Sequence, residues 1–221
     1  MYVPATLALP VTPLSPATVL GAQPPAGEAS SAVPSQPAPL RTKLHVRGAD
    51  LDVLAGRRAT IAGTLLPRLA DQRVVLQLRR RHGGWRTVAG THTGARGHYR
   101  LHLRMGALGS TPARVLFAGD AQARGSHRRL GLLSVFRLAG ASWYGGGGSM
   151  ACGGWLTSST LGVANKTLPC GTLVTLRYDG RMVRVPVVDR GPYVAGREYD
   201  LTEATKRALG FEGTGEVWAT D

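Results

Sequence analysis

Charge is almost absent from the first forty residues, where Glu28 is the single charged side chain. Nine of the fourteen prolines fall in the same stretch, and Ala, Ser, Thr and Gln fill most of the remainder. Such a segment buries too little apolar surface to offset the entropy of ordering it, so 1–40 is expected to be a disordered, semi-extended linker. It is a poor signal peptide as it stands: no Lys or Arg precedes the mildly apolar run from Thr6 to Leu20, and Pro10, Pro13 and Pro16 interrupt that run. A true start upstream, or the remnant of a cleaved leader, are the two readings. Long apolar runs are missing everywhere, and nothing approaches the ~18 residues of a membrane-spanning helix.

Cysteine is scarce as well, with only Cys152 and Cys170 in 221 residues. Their separation suits neither a CxxC redox pair nor a zinc site. An even pair in a Gly-rich, loop-rich region points to one disulfide, and hence to export; two buried free thiols in a cytosolic protein are the alternative.

Acidic residues are few between Arg41 and Ala139, where 19 Lys and Arg face four Asp and Glu and all six His are found. The remaining 82 residues carry eight of each sign, so the formal net charge of +14 belongs to this middle segment. Aromatics are also sparse there, Trp85 and Tyr99 standing nearly alone. Nucleic-acid binding usually interleaves aromatics with basic residues or carries a reading motif, so nucleic acid is not an expected partner. The arginines read as a solvated face, or more sharply as a surface for polyanions, such as an anionic wall polymer or an acidic glycan. Metal is not expected either: His98 and His102, the two histidines closest in sequence, would share a strand face about 13 Å apart and cannot chelate one ion. No cofactor is expected.

What the middle segment does have is period-two alternation, as in Arg73 to Leu78 and Tyr99 to Arg104, broken by turns at His82-Gly83-Gly84, Gly94 to Gly97 and Gly109 to Pro112. About seven such runs make 41–139 a β-sandwich, which resembles the bacterial immunoglobulin-like modules.

The segment 140–221 has strand patterns at about Ala141–Gly145, Leu161–Ala164, Thr172–Tyr178, Met182–Val188 and Gly215–Ala219. One helix is expected over Glu203–Leu209, capped by Thr202 and stopped by Gly210. Asp189 and Asp200 each follow a β-type run beside a turn or helix start, which can bring two carboxyl groups to one mouth of a small barrel, the arrangement used for acid/base work on sugars. The plainer duties of these residues would be to fix the Gly191-Pro192 turn and to cap the helix.

Ala141-Ser142-Trp143-Tyr144-Gly145, Ala164-Asn165-Lys166-Thr167-Leu168-Pro169, Asp189-Arg190-Gly191-Pro192-Tyr193 and Asp200-Leu201-Thr202 together resemble the RlpA-like double-psi β-barrels, and more distantly the barrels of expansins and some endoglucanases. The resemblance implies a six-stranded double-psi β-barrel with one short helix, and so a mainly β chain. It implies a secreted, cell-wall-associated protein that binds peptidoglycan glycan strands or another wall polysaccharide and acts as a lytic transglycosylase. Asp189 and Asp200 match the acidic positions of the substrate groove and would be catalytic; Asn165, Lys166, Arg190, Tyr193 and Tyr199 would contact substrate. Two departures argue against turnover. Asn165 stands where the enzymes carry a His, and Gly145 to Ala151 replaces a longer loop with an acidic residue. A non-catalytic, expansin-like binding module is therefore the second reading, and an adhesin or scaffold that relies on the basic sandwich the third. A monomer is expected.

Overall fold

Alternation of apolar and polar residues becomes strand almost throughout the part of the chain that the structure, a computed structural model, describes: residues 37–221. The disordered segment expected over 1–40 lies outside the described residues as far as residue 36. Its last residue, Leu40, makes a single β-bridge to Ala123. In chain order the elements are β1 (Lys43–Ala49), β2 (Asp52–Leu54), β3 (Arg58–Leu66), β4 (Arg73–Arg79), β5 (Trp85–His92), β6 (His98–Arg104), β7 (Gly109–Gly119) and β8 (Arg124–Tyr144). They continue with β9 (Gly148–Ser149), β10 (Trp155–Leu156), β11 (Val163–Ala164), β12 (Leu173–Tyr178), β13 (Arg181–Asp189), β14 (Tyr199–Thr202), α1 (Glu203–Leu209) and β15 (Gly215–Ala219).

Two antiparallel arrays share the first core. One is β1-β3-β6 with β3 in the centre; the other runs β5-β4-β7 and onto the first half of β8. Each strand turns every second residue inward, so that Ile61, Leu101, Leu76, Val115, Phe117 and Leu133 meet in one apolar cluster.

The second core lies inside a ring of six strands, β8-β15-β12-β13-β11-β14, closed where β14 pairs in parallel with the end of β8, Tyr199 opposite Ala141. Val163, Leu176, Val187, Leu201, Phe211 and Val217 fill it. The mainly β fold, the barrel and its one short helix are as the sequence led us to expect. Thr202 caps α1, its hydroxyl accepting from the Thr205 N–H, and Gly210 ends it in the left-handed region at φ 64°.

One strand serves both cores. Over its 21 residues β8 pairs first with β7, then with β2, β15 and β14, and it passes positions 139 and 140 without a break. Phe136, fully buried, packs against Trp218 at 5.8 Å, and Arg177 lies 4.9 Å from the Trp218 ring while reaching Asp52 at 3.7 Å. The junction is thus a continuous strand with its own side-chain packing rather than a flexible tether.

Gly140 is at this junction because a side chain there would run into the Gly196 carbonyl, whose loop lies against β8 through the Glu198 N–H bond to the Gly140 carbonyl, 2.8 Å. Backbone on both sides leaves little room to yield. Gly140→Ala is expected to cost about 1–3 kcal/mol by overpacking, read as a lower midpoint in urea unfolding; an unchanged midpoint would show that the loop moves away freely.

Candidate functional site

The two aspartates are aligned by backbone pairing. Ala164 of β11 lies opposite Asp200 of β14 on one side and opposite Asp189 of β13 on the other, and Asp200 lies opposite Ser142 of β8. Directly paired residues point to the same face of a sheet. That face is the outside of the barrel, because the neighbours Tyr199 and Leu201 are wholly inside it. With strands about 4.8 Å apart, two strand spacings set the aspartate backbones roughly 10 Å apart.

A bulge makes this possible. Val163 pairs with Val187, and the next residue, Ala164, pairs with Asp189, so Val188 is an extra residue in β13. Without it Val188 would occupy the row and Asp189 would face the opposite way, since a shift of one residue exchanges the faces. Gly162 provides room for the bulge: a side chain there would overlap that of Val188. The Gly162 backbone is in turn gripped by the helix start, its carbonyl accepting from the Thr202 and Thr205 hydroxyls, at 3.1 and 2.9 Å.

The carboxylates are held differently. Asp189 Oδ1 accepts two backbone N–H bonds, from Ala151 and Arg190, each 2.8 Å. Asp200 Oδ1 is bonded by the Ser142 hydroxyl. Both side chains are half-buried. Helix capping falls to Thr202, so Asp200 is not spent on that task.

Near both lies Tyr144, which the sequence shows only as one more aromatic. Its hydroxyl is buried and completes no hydrogen bond of normal geometry among the described residues. Burial first, then the charge and hydrogen-bonding proximity of Asp189 and the charge of Asp200, push the phenol above its usual range, which keeps it neutral with an O–H to donate. Because the hydroxyl completes no bond of normal geometry, Tyr144→Phe is expected to shift stability by less than about 1 kcal/mol in thermal unfolding; a larger loss would mean that it does bond the nearby Asp189.

Of the five residues expected to contact substrate, three have other duties. Tyr199 has no exposed surface and belongs to the barrel core, so it cannot stack on a sugar. Asn165 is buried; its side-chain oxygen accepts from the Thr167 and Leu168 N–H groups at 3.0 and 2.9 Å, and its amide donates to the Glu198 carbonyl at 3.1 Å. These bonds shape a turn. The Arg190 guanidinium braces the same turn through the carbonyls of Asn165 and Leu168, at 3.2 and 3.0 Å, and Cys170 Sγ at 3.1 Å. Lys166 is exposed, and Tyr193 is 80% exposed. Two further exposed rings are Trp155 and Trp143, the latter with the Lys206 ammonium 4.1 Å from its centre.

Cys152 and Cys170 form a disulfide, which closes a loop of 18 residues. It joins the Gly-rich loop between β8 and β10 to the turn after β11, and both touch Asp189: one through the Ala151 N–H, the other through the Asn165 N–H bond to the Asp189 carbonyl, 3.1 Å. That loop has no acid of its own, but the Glu203 carboxylate lies beside Gly145, paired with Arg207 at 2.9 Å. A cleft of about 560 Å³ on the other β array, lined by Arg73, Val75, Gln77 and Leu116, contains neither aspartate.

The sequence of the barrel segment is similar to that of known proteins. Residues 138–218 match the family described as "Lytic transglycolase". Over 82 residues the chain is 43% identical to a "Probable endolytic peptidoglycan transglycosylase RlpA" of Aquifex aeolicus, covering 35% of this chain and 36% of that protein. A protein of Synechocystis with the same description is 40% identical over 89 residues, which cover 37% of this chain and 28% of the relative. The chain thus spans about a third of the length of these relatives. Among solved structures, a Streptomyces papain inhibitor is 27% identical, with a TM-score of 0.34, over 38% of this chain and 92% of its own.

Proposed function

We propose, from the premise that residues 138–218 are an RlpA-like double-psi β-barrel, that this protein binds peptidoglycan glycan strands outside the cytoplasm and cleaves them as a lytic transglycosylase. The observation that carries the proposal is the placement of Asp189 and Asp200 on one outer face, opposite the same Ala164. Their backbone spacing of roughly 10 Å allows the carboxyl groups to approach the 5–9.5 Å at which paired glycosidase carboxylates work. The disulfide supports an oxidising compartment.

The two carboxylates divide the work according to their partners. Two N–H donors hold Asp189 Oδ1 as an acceptor in every state. A hydroxyl can donate or accept, so the Ser142 bond to Asp200 survives whether Asp200 carries a proton or not. Asp200 is therefore the acid and then the base. Its proton goes to the bridging glycosidic oxygen as the bond from C1 breaks; its carboxylate then takes the proton of the muramic C6 hydroxyl, whose oxygen bonds to C1. No water enters. Asp189 remains an anion that faces the positive charge developing at C1. Tyr193 and Trp155, both well exposed, would supply rings to stack on sugar faces.

Incubation with denuded glycan strands tests this, with mass spectrometry for 1,6-anhydromuramic ends. Their appearance is the expected result. Their absence with retained pelleting on sacculi would favour the binding-only reading, which the lack of an acid in the Gly145 to Ala151 loop supports.

A further inference from the structure

We propose that the outer face of the β1-β3-β6 sheet binds a linear phosphodiester polyanion of the bacterial wall. Along β6, His98, Arg100, His102 and Arg104 are exposed while Tyr99 and Leu101 are buried. Along β1, Lys43, His45 and Arg47 are exposed. Between these strands β3 offers to the same face the short side chains of Thr60, Ala62 and Thr64, with Arg58 at one end and the exposed Leu66 at the other. The flanking cations can therefore lean over one line. Arg47 does so, crossing β3 to place its guanidinium 3.2 Å from His98 Nδ1, which the Thr64 hydroxyl also meets at 2.9 Å.

The cations of this face make no ion pair among the described residues, although Asp50 lies at its edge. Every ion pair among the described residues uses Arg137, Arg177, Lys206 or Arg207; Lys43, Arg47, Arg58, Arg100 and Arg104 make none. Arg58 and Arg104 stand directly opposite each other, a like-charge pairing that destabilises a sheet. A face that tolerates this without an ion pair of its own is complementary to an anion from outside.

The form of that anion follows from the spacing. Residues on one side of a strand recur about every 6.7 Å, and a row of fixed charges at that interval fits a chain with one negative charge per short repeat. Nucleic acid is disfavoured because the outward residues of this face include no Trp, Tyr or Phe, the large rings on which successive bases are usually stacked. The wall as its source rests on the reading of the barrel given above.

The test is binding of the whole protein to poly(glycerol phosphate), with oligo(dT) of equal charge as comparator. Five phosphate contacts predict a fall in affinity of about 100-fold between 50 and 200 mM salt, from the slope of about −0.7 per contact seen for single-stranded chains. Arg100→Gln/Arg104→Gln is expected to weaken binding about 30-fold, at the strength of a Lys or Arg near an anionic surface. Arg73→Gln/Arg79→Gln on β4, with the same change in net charge, should do so by less than about threefold. If the first variant fails to fold, Lys43→Gln/Arg47→Gln takes its place. Equal losses in the face and control variants, tighter binding of oligo(dT), or no binding to the phosphate polymer would each overturn the proposal. No glycan strand is present in this assay, and the face variants should still release anhydromuramic ends, so a failure here is distinct from a failure of the barrel's function.

Discussion

Asp200→Asn is expected to lower the release of 1,6-anhydromuramic ends by about 10²–10⁴-fold, the contribution of a positioned general acid and base. The amide can keep the Ser142 bond, so the thermal midpoint should hardly move. Asp189→Asn should reduce turnover less, on the order of 10²-fold, because what is lost is a fixed charge and not a proton carrier. Its amide oxygen can still accept from the Ala151 and Arg190 N–H groups, and the loop should stay in place. Asp189→Ala is the contrasting case: both N–H groups lose their acceptor, at a cost of about 1–3 kcal/mol for each that remains buried without a partner. A larger loss in Asp189→Asn than in Asp200→Asn would exchange the two roles. Full activity in both would remove the pair from the chemistry.

The ends of α1 were legible because capping is local: Thr202 three residues before the Thr205 N–H, and Gly210 where a left-handed residue is needed. The aspartates were legible as types in motifs, but their alignment was not. It depends on the bulge at Val188, and a bulge is a property of two strands, β11 and β13, whose pairing lies outside either strand's own sequence. The burial of Tyr199 had a signal that went unused. Tyr199-Asp200-Leu201-Thr202 alternates, and if Leu201 faces the core then Tyr199 does as well, with Asp200 outside. Asn165 likewise precedes a turn, where Asn commonly bonds the backbone two and three residues on. Gly140 misleads in the other direction. A glycine at a shift in charge pattern reads as a break, whereas here the strand runs on and the missing side chain admits the Gly196 carbonyl.

The disulfide should be the largest single contributor to the stability of the barrel's outer face. Cys152→Ser/Cys170→Ser frees a loop of 18 residues, which the chain-entropy model values at about 3 kcal/mol. For a folded unit of this size that corresponds to a fall in melting temperature of about 6–12 °C, and wild-type protein under a strong reductant should show the same shift. Activity should fall by more than the unfolded fraction explains, even well below the melting point. The Ala151 N–H that holds Asp189 comes from the residue before Cys152, and the Cys152 N–H itself bonds the Val188 carbonyl of the bulge at 3.2 Å. On the other side, Arg190 reaches Cys170 and the turn that Asn165 shapes. Cutting the S–S bond therefore loosens both walls around one carboxylate while leaving the barrel core intact. A melting temperature that does not respond to reduction would show that the loops are held by the β9-β10 hairpin and the Arg190 bonds alone. A variant less stable but fully active per folded molecule would separate the disulfide's role in stability from any role in positioning Asp189.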